Sequence, residues 1–118
     1  MFKIIYLAIL LYVLTYSGLV SAQMEDKDVH IFNIKAERYH YTPNMIVVKA
    51  GRAVELHIQS KDVLHGFSIP RLNIRADLVP NETAIIKLQG LESGVYPFAC
   101  DIFCGENHSS MSGRIVVK

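Results

Sequence analysis

Two thiols, an imidazole and a thioether fall within one short stretch, Cys100-Asp101-Ile102-Phe103-Cys104-Gly105-Glu106-Asn107-His108-Ser109-Ser110-Met111. Cys100 and Cys104 are the only cysteines in the chain. Sulfur and imidazole make a soft donor set, which favours copper over the oxygen-seeking ions magnesium and calcium. Thiolate and thioether stabilise Cu(I), and imidazole serves both Cu(I) and Cu(II). A site that mixes them can change oxidation state with little change of geometry. Upstream, Val63-Leu64-His65-Gly66-Phe67 offers a second imidazole. The glycine after His65 lets the backbone turn close to a bulky site.

The same residues have plainer readings. Two cysteines in an oxidising compartment most often form a disulfide. A disulfide has no use for His108 or Met111, so the full set points to a metal. Two cysteines and two histidines also suit zinc, but zinc gains nothing from Met111. Taken singly, Met111 reads as core and His65 as a loop or satisfied core histidine. His30, His40 and His57 have no partners in sequence and read as solvated, with His57 on the polar face of its strand.

The elements that must hold these residues are short strands. Strand-like stretches run over 29–36, 45–49, 53–59, 63–69, 72–78, 83–88, 95–100 and 113–118, with turns at 41–44, 50–51 and 93–94. Val54, Leu56 and Ile58 alternate with Glu55, His57 and Gln59, the period of a half-buried strand. The folded part shows no helical period. Short strands at regular spacing predict an all-β sandwich or barrel. Loops distant in sequence gather at one end of a sandwich, which would bring His65 to the cysteine loop. Pro97 lacks a ladder donor, so its strand should lie at an edge or be bulged there.

The chain has 118 residues, the size of one domain. Its formal net charge is +1, and charges of both signs are interspersed. That excludes the massed basic face of a nucleic-acid binder. Lys3 is the only charge before Glu25, and the apolar run closes on Val20-Ser21-Ala22. This is the form of a secretory signal peptide cleaved after Ala22. The uncharged run from Ile4 to Met24 has 21 residues, so it also matches a membrane anchor, which needs roughly 20. The expected organisation is a signal peptide or anchor at 1–22, a linker at 23–28 and one domain at 29–118. Both readings put that domain outside the cytoplasm, in the periplasm or on the outer face of the cytoplasmic membrane.

The pattern Cys-x₃-Cys-x₃-His-x₂-Met after a His-Gly-Phe resembles the CuA domain of subunit II of haem–copper (cytochrome c) oxidases, within the cupredoxin superfamily. The resemblance runs from Tyr39 to the end of the chain. It takes in Tyr41-Thr42-Pro43-Asn44, Asp62-Val63-Leu64-His65-Gly66-Phe67, Gly94-Val95-Tyr96 and Gly113-Arg114-Ile115-Val116-Val117. In form it is similar to the short, single-anchor subunit II of B-type oxidases.

That resemblance implies a cupredoxin Greek-key sandwich with two copper ions. Cys100 and Cys104 would bridge the coppers, and His65 and His108 would cap one each. Met111 would be a weak axial ligand to one copper and the backbone carbonyl of Ile102 to the other. One unpaired electron shared by both metals makes electron transfer fast at low driving force. The implied donor is a c-type cytochrome or a blue copper protein, and the implied acceptor is subunit I of the oxidase. No substrate site or acid–base pair is evident, so the chain would not be a catalyst alone. Two other functions compete: a copper carrier or insertion factor for oxidase assembly, and a mononuclear type 1 copper protein. The chain departs from the family pattern in two places. Ile102 stands where many of these subunits carry a metal-binding Glu, and there is no Trp to serve as the electron entry point. Tyr39 or Tyr41 falls near that place.

Overall fold

The computed structural model describes residues 2–16 and 28–118. Helix α1 spans Phe2–Tyr16 and is apolar on every side apart from Lys3. Residues 2–13 of this helix are exposed. Among the described residues no helix is long and apolar enough to cross a membrane. The expected cleavage point at Ala22 and most of the 23–28 linker lie outside the described residues.

The domain is two β-sheets packed face to face. Its strands are β1 (His30–Glu37), β2 (His40–Thr42), β3 (Met45–Val48), β4 (Val54–Ser60), β5 (His65–Ile69), β6 (Ile74–Leu78), β7 (Thr83–Leu88), β8 (Gly94–Ala99) and β9 (Ser112–Val117). One sheet has the order β2-β1-β4-β7 and the other β3-β9-β8-β5-β6. The pairs β1–β4 and β3–β9 are parallel, and the remaining pairs are antiparallel. These described strands form an open sandwich and not a closed barrel.

Alternation along the strands decides which side chains meet between the sheets. Leu56 and Ile58 of β4, Ile86 and Leu88 of β7, Ile46 and Val48 of β3, and Ile115 and Val117 of β9 all point inward. Tyr41, Phe67 and Phe98 form the aromatic centre of the core. Tyr41 meets the other two edge-on, with ring centroids 5.6 and 5.2 Å away, and Phe67 and Phe98 lie 4.7 Å apart. Pairs of this geometry add to the burial energy of the rings themselves.

Several boundaries differ from the sequence reading. Residues 41–42 were expected in a turn but belong to β2, which pairs with β1 through Ala36↔Tyr41. Buried Tyr41 between exposed His40 and Thr42 is a strand alternation too short to register in the sequence. β6 starts at Ile74 because Pro70–Leu72 forms a 3₁₀ turn that ends on Asn73 in a left-handed conformation. β5 starts at His65 because Asp62 and Ser60 hold Val63 in a turn, through its N–H and its carbonyl. Pro97 lies in β8, an interior strand by order, and not at an edge. Yet β8 pairs with β5 only through Ser68↔Ala99, so on that side it is nearly an edge. His57 is half-buried, not fully solvated, and its Nε2 lies 3.8 Å from Glu55.

The antiparallel run of β5 and β8 matters most for the site. It sets the first residue of β5 beside the last residues of β8. His65 opens β5 and Cys100 follows β8, so the two come together at one end of the sandwich. Phe67 lies two residues beyond His65 and anchors that end. Phe67→Ala should cost about 3–5 kcal/mol of stability, read by urea unfolding of the full chain. A loss under about 1 kcal/mol would show that the aromatic centre is not closely packed.

Candidate metal centre

The segment from Cys100 to Met111 joins β8 to β9 as a loop over the end of the sandwich. Its base is closed by the Cys100 N–H, which donates to the Met111 carbonyl at 3.0 Å. Its far end is folded into a short 3₁₀ turn, His108–Ser110, with the His108 N–H on the Gly105 carbonyl at 3.2 Å. Gly105 sits at φ +145°, and a side chain there would run into the Tyr39 ring. Only glycine lets the loop lie this close to the β1–β2 hairpin.

Cys100 and Cys104 are both buried and both free. Their sulfurs are 3.8 Å apart, well beyond the roughly 2.05 Å of a disulfide bond. His65 is fully buried, and ligand atoms of His65, Cys100 and Cys104 lie within 4.8 Å of one another. His108 Nδ1 stands 3.9 Å from the Cys104 sulfur. The Ile102 carbonyl accepts from the Cys100 thiol at 3.1 Å. Met111 is buried with its backbone tied to Cys100. The structure thus brings His65, Cys100 and Cys104 together, with His108 next to Cys104.

The two tyrosines differ. Tyr39 is half-buried and lies against Gly105 of the loop. Tyr41 is in the core at 2 % exposure, with its hydroxyl donating to the Gly66 carbonyl at 2.7 Å. Burial, then the two thiols nearby, pushes the Tyr41 phenol well above its ordinary range, so it keeps its proton and remains a donor.

Asp62 decides which nitrogen of His65 faces the sulfurs. Partial burial raises the Asp62 pKa. The backbone N–H of Arg38, the His65 ring and the Val63 N–H outweigh it and lower the carboxyl to about 2. Asp62 is therefore a carboxylate, which can only accept. His65 Nε2–H donates to its Oδ1 at 2.6 Å. Nδ1 is left with its lone pair, buried and without a hydrogen-bond partner among the described residues. An orphaned nitrogen beside two free thiols is what a metal ligand looks like before the metal is bound. Burial and the neighbouring Cys100 push the Cys104 thiol up to about 11, so loading a metal must displace protons.

Sequence reasoning gave no role to Asp62, Arg38 or Arg75. Arg38 Nε–H donates to the Cys104 carbonyl at 3.0 Å. Arg75 grips both oxygens of Asp101 at 2.7 and 3.1 Å and so fixes the start of the loop on β6. That contact holds the Asp101 carboxyl below its ordinary range. Asp62 carried a local signal, an acid three residues before His65. The arginines carried none.

Over residues 4–117 the chain matches the cupredoxin-like domain, and it belongs to that family. It is similar to cytochrome c oxidase subunit 2 of Thermus thermophilus, 35% identical over 85 residues, covering 72% of this chain and 63% of that protein. The chain thus spans somewhat under two thirds of the length of that relative. Among solved structures it resembles the periplasmic domain of subunit II of cytochrome oxidase from Bradyrhizobium japonicum, with a TM-score of 0.69. There the identity is 16%, over 75% of this chain and 83% of the other. It also resembles a chain of a haem–copper terminal oxidase dimer, with a TM-score of 0.68 and 22% identity over 99% of this chain and 95% of the other. At these identities the two structures speak for the fold alone.

The chain is therefore a cupredoxin-like domain, similar to oxidase subunit II, with a close group of one histidine and two cysteines whose soft donors suit copper. Asp62→Asn would remove the charge that orients His65. It should weaken copper binding by about 10- to 100-fold without changing the number of ions bound, measured by chelator competition. An unchanged affinity would show that burial alone orients the ring.

Proposed function

We infer that this chain is an extracytoplasmic electron carrier built around a two-copper CuA centre, acting as the subunit II-like part of a terminal oxidase. The observation that carries the reading is the pair of free, buried sulfurs 3.8 Å apart, with a ring nitrogen of buried His65 within 4.8 Å of them and its Nδ1 left without a hydrogen-bond partner among the described residues. A mononuclear site uses one thiolate and leaves the second without a task. A disulfide would consume both thiols and leave His65 Nδ1 without a partner.

Bound copper supplies one-electron chemistry between Cu(I) and Cu(II). Cys100 and Cys104 offer the bridging thiolates. His65 Nδ1 and His108 Nδ1 offer one capping nitrogen each. Met111 and the Ile102 carbonyl would complete the ligand frame. Gly66 N–H donates to the Cys100 sulfur at 3.4 Å and holds it in place. Both strand ends and the loop base are hydrogen-bonded before any metal arrives, so the frame has little room to rearrange. Phe103, 78% exposed, and Leu64 form an apolar rim next to the loop where a redox partner can approach. The donor is a c-type cytochrome or a blue copper protein, and the acceptor is subunit I of the oxidase. Residues 1–22 serve as signal peptide or anchor.

The test is copper content and electron paramagnetic resonance of the full chain. Two coppers per chain and one unpaired electron spread over two copper nuclei are expected. One copper with a single-nucleus pattern would replace this reading with a type 1 protein. Silent Cu(I), readily surrendered to a chelator, would replace it with a copper carrier. Cys104→Ser should abolish the shared-electron spectrum. Met111→Leu should keep both coppers and shift the reduction potential, because an axial thioether bond is weak.

A further inference from the structure

Arg38 stands where three segments of the chain meet. It lies just past β1, at the turn into β2. Its backbone N–H donates to Asp62 Oδ2 at 2.9 Å, and its side-chain Nε–H donates to the Cys104 carbonyl at 3.0 Å. The other oxygen of Asp62 accepts from His65. One residue thus connects a sulfur-bearing position of the loop to the carboxylate that orients an imidazole.

Its charge is also uncommitted. Arg52 is paired with Asp28, and Arg75 with Asp77 and Asp101. The Arg38 guanidinium forms no ion pair among the described residues. It borders a shallow depression of about 310 Å³ lined by Val63, Leu64, Phe103, Cys104 and Gly105. A cation held against apolar walls is screened less than one on an open surface.

We propose that Arg38 is a positioning residue of the metal centre: it pins Cys104 to the Asp62–His65 pair, and its unpaired charge favours the reduced state. The sign follows from charge balance. Oxidation removes one electron from the metal–sulfur unit and makes it more positive. A fixed cation nearby opposes that step and raises the reduction potential. Arginine suits the place because its planar fork can anchor one nitrogen on a carbonyl while the charge spreads over the group. Lysine would keep the charge and lose the anchor.

The proposal rests on the copper reading above, and the experiment separates the two. Copper is counted on the full chain, and the midpoint is titrated at low and high salt. In Arg38→Gln the equilibrium should move toward the oxidised form by about threefold at low salt, near 28 mV for one electron. The shift should shrink at high salt, because the guanidinium is partly exposed. Arg38→Lys should recover most of the midpoint yet release copper to a chelator faster than the wild type. Arg71→Gln removes a cation at the opposite end of β5, stacked on Tyr96, and should leave the midpoint unchanged. A wild-type chain with one copper would sink the two-copper reading, and the Arg38 effect would still be read from the midpoint of that copper. A midpoint that does not move in Arg38→Gln overturns the charge role, as does an Arg38→Lys midpoint displaced as far as the Gln one. Unchanged copper release in Arg38→Lys overturns the positioning role, and this holds even if the Gln variant does not fold.

Discussion

The Gly66 N–H donates to the Cys100 sulfur at 3.4 Å, and that contact requires a bare Cα. A side chain at position 66 would overlap the Asp101 carboxylate and stand 3.0 Å from the Asp101 backbone nitrogen. With glycine there, the start of β5 and the exit of β8 can touch. His65 and Cys100 become neighbours although 35 positions separate them in the chain. The Gly66 carbonyl is used as well, by the Tyr41 hydroxyl from the core below. The same residue therefore links the aromatic centre of the sandwich to the sulfur at its end. Motion of either strand would be felt at both.

The donor group carries a cost of burial. Two thiols and an imidazole nitrogen are held away from water. A buried polar atom without a partner costs about 1–3 kcal/mol. The rest of the sandwich offsets this through its aliphatic and aromatic packing. A soft cation bound here would take up the lone pair of His65 Nδ1. Function and stability pull against each other at Nδ1, and the Asp62 carboxylate fixes the ring so that it cannot turn this nitrogen toward another donor.

The ligand loop was legible in the sequence because its donors are local: Cys100, Cys104, His108 and Met111 lie on one connection between two strands. His65 was readable through its glycine and through the rule that sandwich loops converge. The strands were legible where alternation ran for five residues or more, as in β4. β2 was not, because three residues are too few to show a period. Arg38 and Arg75 act through contacts that depend on side-chain reach between segments, which leave no trace in spacing, whereas Asp62 stands three residues before His65. Tyr41 shows the converse. Its position in sequence put it near the expected entry point for electrons, but the alternation of β2 turns it into the core, while Tyr39 stays beside the loop.

The two sulfurs are not equivalent, although the motif treats them alike. Cys100 receives a backbone N–H from Gly66, and its neighbour Asp101 is neutralised by Arg75. For Cys104 no such backbone donor to its sulfur is found among the described residues. Its carbonyl is instead drawn toward the unpaired charge of Arg38. A hydrogen bond to a thiolate withdraws electron density from the sulfur directly. A cation at the carbonyl acts through space and is weakened by salt. A soft cation held by both would therefore meet two sulfurs of different donor strength, and the weaker constraint lies on Cys104, the one that borders the depression near Phe103 and Leu64.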